Sequence, residues 1–301
     1  MIYTVTFNPA IDYVIRLGGE LHAGSLHRTT AEDFQFGGKG INVSCVLKTL
    51  GYDSVALGFI AGFTGEGLAQ GLAQQGIQTD FIHVAQGMTR INVKIKGQQE
   101  TEINGMGPQI SATDMEQFYK KLDKLQKNDM LILSGSIPGC LGQDTYEKIL
   151  AYLQQKDLQI VVDATKDLLV NVLKYRPFLI KPNNYELGEI FGSLPVTDAE
   201  ILACARKLQD MGARNVLVSL AGDGALLLDE TGNSHRIGCP VGTVVNSVGA
   251  GDSMVAGFLA GMLQTGDYAY ALKLGTASGS ATAFSLGLAD KEAIDRILDT
   301  L

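Results

Sequence analysis

The sequence predicts an α/β protein with a mostly parallel sheet covered by helices on both faces, and a second, small sheet set apart from it. Three observations lead there. From about residue 130, short β-rich runs at 130–133, 158–162, 178–180, 216–220 and 225–228 alternate with helical segments such as 144–155 and 197–211. In the helical segments apolar residues recur at three- and four-residue spacing. The N-terminal part follows the same rhythm, with strands at 2–7 and 55–60 and helices near 41–50 and 67–75. Strands alternating with helices imply parallel pairing under helical cover. Residues 12–36 and 89–104 break the rhythm: they alternate apolar and polar residues, as strands with one wet face do. They sit as insertions between βα units, so one domain over 1–301 is expected. The last segment, 249–301, reads as three helices rich in Gly, Ala and Ser, which implies close helix packing or close backbone approach to a ligand.

Composition narrows the function classes. Hydrophobic residues make up 46% of the 301 residues and charged ones 19%, which excludes a disordered chain. The formal net charge of -8 argues against nucleic acid as the partner, because duplex binding draws on Lys and Arg set against phosphates. Small anionic ligands remain compatible, since charge is screened beyond about 8 Å at physiological salt. Cys45, Cys140, Cys204 and Cys239 lie far apart without a CxxC, and the four histidines show no metal spacing. The uncharged stretch that would suggest a membrane, 253–266, is shorter than the roughly 20 residues of a membrane span and rich in Gly. No membrane partner and a cytoplasmic location are therefore expected.

The strongest local signal is Gly249-Ala250-Gly251-Asp252 ahead of an apolar helix. A helix start carries unpaired N–H groups and partial positive charge, and small residues let a phosphate oxygen reach them. Asp252 would then accept the proton of an attacking hydroxyl. An ordinary N-cap explains Asp252 but not the three small residues before it.

Other segments are open when read alone. Gly37-Gly38-Lys39-Gly40-Ile41-Asn42 is no P-loop, since the G-K pair is followed by Gly. It fits backbone approach to a sugar, with Lys39 and Asn42 as polar contacts, and fits a flexible turn equally well. Asn183 and Glu186, after Lys181-Pro182, first read as a capping box, with an outer site for hydrated magnesium as the alternative. Ser219 to Gly224 first reads as a hairpin turn. Asp12 suits a sugar-hydroxyl acceptor and Arg90 a bidentate phosphate clamp, though either residue is by default a solvated charge. No complete G-x-G-x-x-G is present, which removes a dinucleotide-dependent oxidoreductase.

Taken in order, N-P-A-x-D from Asn8, G-G-K-G-x-N from Gly37, S-G-S-x-P from Ser134, K-P-N-x-x-E from Lys181 and G-A-G-D from Gly249 resemble the PfkB (ribokinase-like) carbohydrate kinases over essentially the whole chain. Within that family, residues 36–43, 62–65, 89–95 and 100–104 are most similar to bacterial members acting on fructose 1-phosphate.

The resemblance implies a doubly wound α/β domain with a β-sheet lid over the sugar, and a homodimer formed through that lid. It implies ATP and Mg2+ as cofactors and a small phosphorylated ketose as substrate, with tagatose 6-phosphate as the alternative to fructose 1-phosphate. By position, Asp252 is the base and Gly249, Ala250 and Gly251 the anion hole. Asp12, Gly38, Lys39 and Asn42 hold the sugar, Arg90 and Ser136 lie near its phosphate, and Arg28 is a further phosphate candidate. Lys181, Asn183 and Glu186 belong to the ATP and magnesium region, with the metal met by Glu186 through water. Ser219, Gly222 and Gly224 border the nucleotide, and the helix around Ala277 walls the adenine. Asp163 receives no role, because the residues after it depart from the family pattern. A non-catalytic sugar sensor on the same fold is disfavoured by the retained Asp252 and its small-residue lead-in.

Overall fold

Met130–Ser134 (MLILS) and Ala225–Leu228 (ALLL) are buried at every position, as strands covered on both faces must be. The computed structural model describes residues 1–301. Its first part contains β1 (Ile2–Thr6), β2 (Ala10–Leu17), β3 (Thr29–Gly37), α1 (Lys39–Thr49), β4 (Val55–Ala61), α2 (Gly62–Gln74), β5 (Gln78–Thr79), β6 (Ile82–Val84), β7 (Arg90–Lys96) and β8 (Glu100–Asn104). Next come α3 (Ala112–Leu122), β9 (Met130–Ser134), α4 (Thr145–Leu153), β10 (Gln159–Asp163), α5 (Lys166–Val170), β11 (Leu179–Ile180), α6 (Asn184–Phe191) and α7 (Asp198–Asp210). The last part is β12 (Asn215–Ser219), β13 (Ala225–Leu228), β14 (Ser234–Ile237), α8 (Ala250–Thr265), α9 (Tyr268–Ala283) and α10 (Lys291–Leu298).

The main sheet has the order β14-β13-β12-β11-β10-β9-β1-β4-β5, with β6 also on β4. Pairing is parallel from β12 across to β5 and antiparallel only at β12–β13–β14. The 219–224 segment is therefore the hairpin connection that its composition suggests. One face is packed by Phe118, Tyr146, Leu187 and Ile201 from α3, α4, α6 and α7. The other is packed by Val43, Val255, Leu274 and Ile294 from α1, α8, α9 and α10. The sheet is thus doubly wound, as expected.

β1 pairs with β4 on one side and β9 on the other, so the strand order reverses there. Ligands in such sheets bind beyond the carboxyl ends of the strands at this reversal. Thr6, Ser134, Asp163 and Lys181 all lie at those ends.

The two wet insertions form a separate four-stranded sheet, β3-β2-β7-β8. Its register sets Asp12 beside Asn92, and Tyr13 beside Val93. Gly37 ends β3 one residue before Gly38, the N-cap of α1, so the small sheet is tied directly to the reversal point. The Gly-rich C-terminal helices pack closely: a Cβ on Gly261 would stand 2.6 Å from the Ala271 Cα. That resolves the choice left open by the composition in favour of helix packing at this position.

Candidate active site

Two helices begin at the reversal point, and neither has a side-chain cap at its first residue. α8 starts at Gly249, whose φ of +82° only glycine adopts without strain. A Cβ on Gly251 would stand 3.2 Å from the Lys181 Nζ, so a larger residue would intrude between that amine and the helix start. α1 starts at Gly38, φ +127°, where a Cβ would lie 2.5 Å from Thr6 Cγ2. Thr6 Oγ1 accepts from the Ile41 N–H at 3.1 Å in the first turn of α1, whereas no side chain caps the start of α8; the two starts converge on a region of positive potential with free backbone donors.

Asp252 lies in the first turn of α8 and is buried. Asn42 Nδ2, from the first turn of α1, donates to its Oδ2 at 2.8 Å. Burial and the charge of Asp163 push the Asp252 carboxyl up to about 7, partly offset by Lys39, the Asn42 hydrogen bond and Lys181. A carboxylate with that proton affinity is poised as a base near neutral pH.

Asp163, which received no role from the sequence, sits at the middle of the cluster. Its side chain is 3% exposed; Lys39 Nζ approaches Oδ2 at 3.2 Å and Lys181 Nζ approaches Oδ1 at 3.3 Å. Burial raises its proton affinity, but Lys181 and Lys39 outweigh that and hold it below the usual carboxylate range. Burial would also strip Lys39 of its proton, and Asp163 and Asp252 more than reverse this. The local signal for Asp163 was its place at the end of a buried strand beside the lysine that follows the next one.

On the small sheet, Asp12 of β2 accepts from Asn92 Nδ2 at 2.7 Å and faces Lys94 Nζ at 3.4 Å. Asn92 and Lys94 were not anticipated; both follow Arg90 at two-residue spacing along β7 and share its face. Arg90 Nε donates to the Asn8 carbonyl at 3.2 Å, and burial depresses its proton affinity against the opposing charge of Asp12. Asn8 and Ser136 line one pocket of 430 Å³ together with Met106 and Gln109. Asp12, Gly37 and Asn42 line a neighbouring cleft of 840 Å³. Arg28 is exposed on the β2–β3 connection and makes no hydrogen bond or ion pair within the chain.

At the start of α6 the capping box is present: Asn183 Oδ1 accepts from Glu186 N and Glu186 Oε2 from Asn183 N, each at 2.8 Å. Ser219 bridges to Asn183 beside it, and Gly222 and Gly224 form the β12–β13 turn, where a Cβ on Gly224 would lie 2.2 Å from the Ile237 carbonyl. Ala277 requires a correction. It has no exposed surface and belongs to the core between α8, α9 and the sheet, so it offers an adenine nothing to touch. A small residue on a Gly- and Ala-rich helix serves helix packing there.

The residues fit magnesium of the hydrated kind. No three carboxylate, His or Cys side chains converge, which excludes a protein cage. Glu186 keeps one oxygen outside its capping bond, enough for an ion held mainly by water and phosphate.

This fold and site define a phosphoryl-transfer enzyme that positions a sugar hydroxyl against a nucleotide. The pfkB family carbohydrate kinase model matches residues 5–294, and the chain belongs to that family of kinases, which use ATP with Mg2+. The chain is 45% identical over 298 residues to the 1-phosphofructokinase of Bacillus subtilis, covering 99% of this chain and 97% of that one. It is 37% identical over 297 residues to the D-tagatose-1-phosphate kinase of Bacillus licheniformis, covering 98% and 97%. Phosphofructokinase-2 from Escherichia coli, solved in complex with substrates and products, superposes with a TM-score of 0.92 at 26% identity, covering 100% and 99%. No helix is long and apolar enough to cross a membrane.

Proposed function

We infer that the chain transfers the γ-phosphoryl group of ATP to the C6 hydroxyl of D-fructose 1-phosphate, giving fructose 1,6-bisphosphate and ADP. The observation that carries the reading is the buried Asp252 at an uncapped helix start, hydrogen-bonded to Asn42 and flanked by Lys39 and Lys181. The relative at 45% identity supports the ketose 1-phosphate as the acceptor.

In this reading Asp252 accepts the proton of O6–H as O6 bonds to the γ-phosphorus and the bond to the β–γ bridging oxygen breaks. The free N–H groups of Gly251 and Asp252 receive negative charge on the transferring group, while that of Ala250 donates to the Ser247 carbonyl at 3.2 Å. Asp12, Gly38 and Asn42 orient the sugar, with Asn92 and Lys94 bracing Asp12. Arg90 and Ser136 hold the phosphate already on the sugar. Lys181, Asn183, Glu186, Ser219, Gly222 and Gly224 border the nucleotide; magnesium near Glu186 supplies charge against its phosphates. The small sheet closes over the sugar as a lid and excludes water from the transfer.

A second copy on the outer face of that sheet fits as well. Phe34, Tyr13, Val93 and Ile103 lie in one cross-strand row, and Phe34 and Ile103 are 61% and 59% exposed. An apolar row of this kind suits a homodimer through the lid.

The related D-tagatose-1-phosphate kinase favours a second reading, the C4 epimer with the same 1-phosphate. Phosphorus NMR of the product tests both: a new phosphate monoester at C6 of fructose 1-phosphate is expected, and ATP hydrolysis without phosphorylated ketose would exclude the reaction.

A further inference from the structure

We propose that Asp163 is a positioning residue for phosphoryl transfer, holding Lys39 from the sugar side and Lys181 from the nucleotide side on one buried carboxylate. The proposal rests on the kinase reading above and goes beyond it, since nothing in the motifs assigns Asp163 a part.

The geometry is specific. Asp163 ends β10, between β9 and β11, and each carboxylate oxygen faces a different lysine, at 3.2 and 3.3 Å. Lys39 opens α1, the helix that also carries Asn42. Lys181 follows β11 and stands against Gly251 in the anion-hole turn. One side chain therefore spans two elements that serve different substrates. A carboxylate buried this deeply is costly unless its charge is matched, so loss of either lysine contact is strongly resisted. Ammonium groups on flexible stems are otherwise poorly fixed, and Asp163 removes that freedom before either phosphate arrives.

The charges around it are few. Lys39 on α1, Lys181 after β11, Glu186 on α6 and Asp252 on α8 face the cluster. The Tyr146 hydroxyl from α4 donates to the Gly135 carbonyl nearby and feels the charge of Asp163. The negative charge of Asp163 opposes ionisation of Asp252, and the lysines it holds favour it. Asp163→Asn removes the opposing charge and releases both lysines toward Asp252. All these changes act in one direction, toward an Asp252 that ionises at lower pH.

The test compares kcat and the pH dependence of kcat/KM for wild type, Asp163→Asn and Asp163→Glu with Mg-ATP and fructose 1-phosphate. Titration of the substrate's own phosphate is common to all three enzymes and cancels in the comparison. In the Asn variant kcat is expected to fall at least about tenfold while the acid limb moves down by about one pH unit. The Glu variant keeps the charge but displaces the lysines that favour ionisation of Asp252, so it should lose kcat with the limb moved up, opposite to the Asn variant. A lower kcat with an unmoved limb in Asp163→Asn would mean a merely structural role and overturn the proposal, as would wild-type values throughout. If the Asn variant is insoluble, the Glu variant decides: wild-type kcat, or a lowered kcat with an unmoved limb, overturns the proposal, and a lowered kcat with the limb moved up supports it. Wild-type protein inactive on fructose 1-phosphate refutes the substrate reading instead, and the same comparison is then made on whichever ketose phosphate it turns over.

Discussion

Asn42 Nδ2 donates to Asp252 Oδ2 at 2.8 Å, joining the first turns of α1 and α8 across the strand reversal. The amide comes from the helix that opens beside the sugar cleft, and the carboxylate from the helix start that would meet the transferring phosphate. This contact aims the base, and its partner residues are 210 positions apart in the chain. The first expected outcome follows from it. Asp252→Asn preserves size and the contact but removes the base, so kcat should fall about 10²–10⁴-fold with little change in KM. Steady-state kinetics at saturating ATP checks this; near-normal kcat would remove Asp252 from the role.

The hydrogen bond from Asn42 favours the ionised form of Asp252, against burial and the charge of Asp163. Asn42→Ala should therefore raise the proton affinity of Asp252 and move the acid limb of kcat/KM up by about one pH unit. The direction is opposite to that expected for Asp163→Asn, so the two variants read the same carboxylate from two sides.

The raised proton affinity also links stability to pH. Asp252 titrates at about 7 when folded, against the ordinary carboxylate range when unfolded. Its contribution to stability is fully present below the unfolded value and is lost as pH rises through about 7. A neutral Asn at this position escapes the loss. Asp252→Asn should gain in stability over wild type on going from pH 4.5 to pH 8, by on the order of a few kcal/mol, seen as a relative rise in Tm. Thermal denaturation of both proteins at the two pH values checks this; parallel pH dependences would mean that the carboxyl titrates normally.

Arg90 tests the sugar-phosphate end. Its Nε is fixed on the Asn8 carbonyl, which lines the same pocket as Ser136. Arg90→Ala should raise KM for fructose 1-phosphate about 10–100-fold through loss of charge-assisted hydrogen bonds, with a smaller effect on kcat. Lys at this position should recover only part, since an ammonium cannot make the bidentate contact. An equal rise in the KM for ATP would place Arg90 elsewhere in the mechanism.

Much of the fold was legible because the parallel strands are continuous apolar runs. The run at 225–228 was exact, and those at 130–133 and 216–220 differed from the structure by one residue at one or both ends. The small sheet was legible for the opposite reason, since its alternating residues could not lie in a doubly covered sheet. The helix at 112–122 was missed although Ser111 and Asp114 form a capping box and Met115, Phe118, Tyr119 and Leu122 recur at helical spacing. Asp252, Asn42 and Lys39 were marked by glycines that the backbone requires. Asp163 had no glycine beside it, only its place at the end of a buried strand, and its importance lies in contacts to residues 124 positions before and 18 after it. Ala277 failed in reverse, because small helical residues pack cores as often as they line ligand sites.

The most direct measurement is kcat/KM with ATP for fructose 1-phosphate, tagatose 6-phosphate, fructose 6-phosphate and tagatose 1-phosphate on the purified protein. A clear preference for fructose 1-phosphate is expected, with tagatose 1-phosphate next because it shares the phosphate that Arg90 would hold. Preference for either 6-phosphate would contradict the assignment of Arg90 and Ser136 to a 1-phosphate, and no turnover of any of the four would contradict the kinase reading of Asp252.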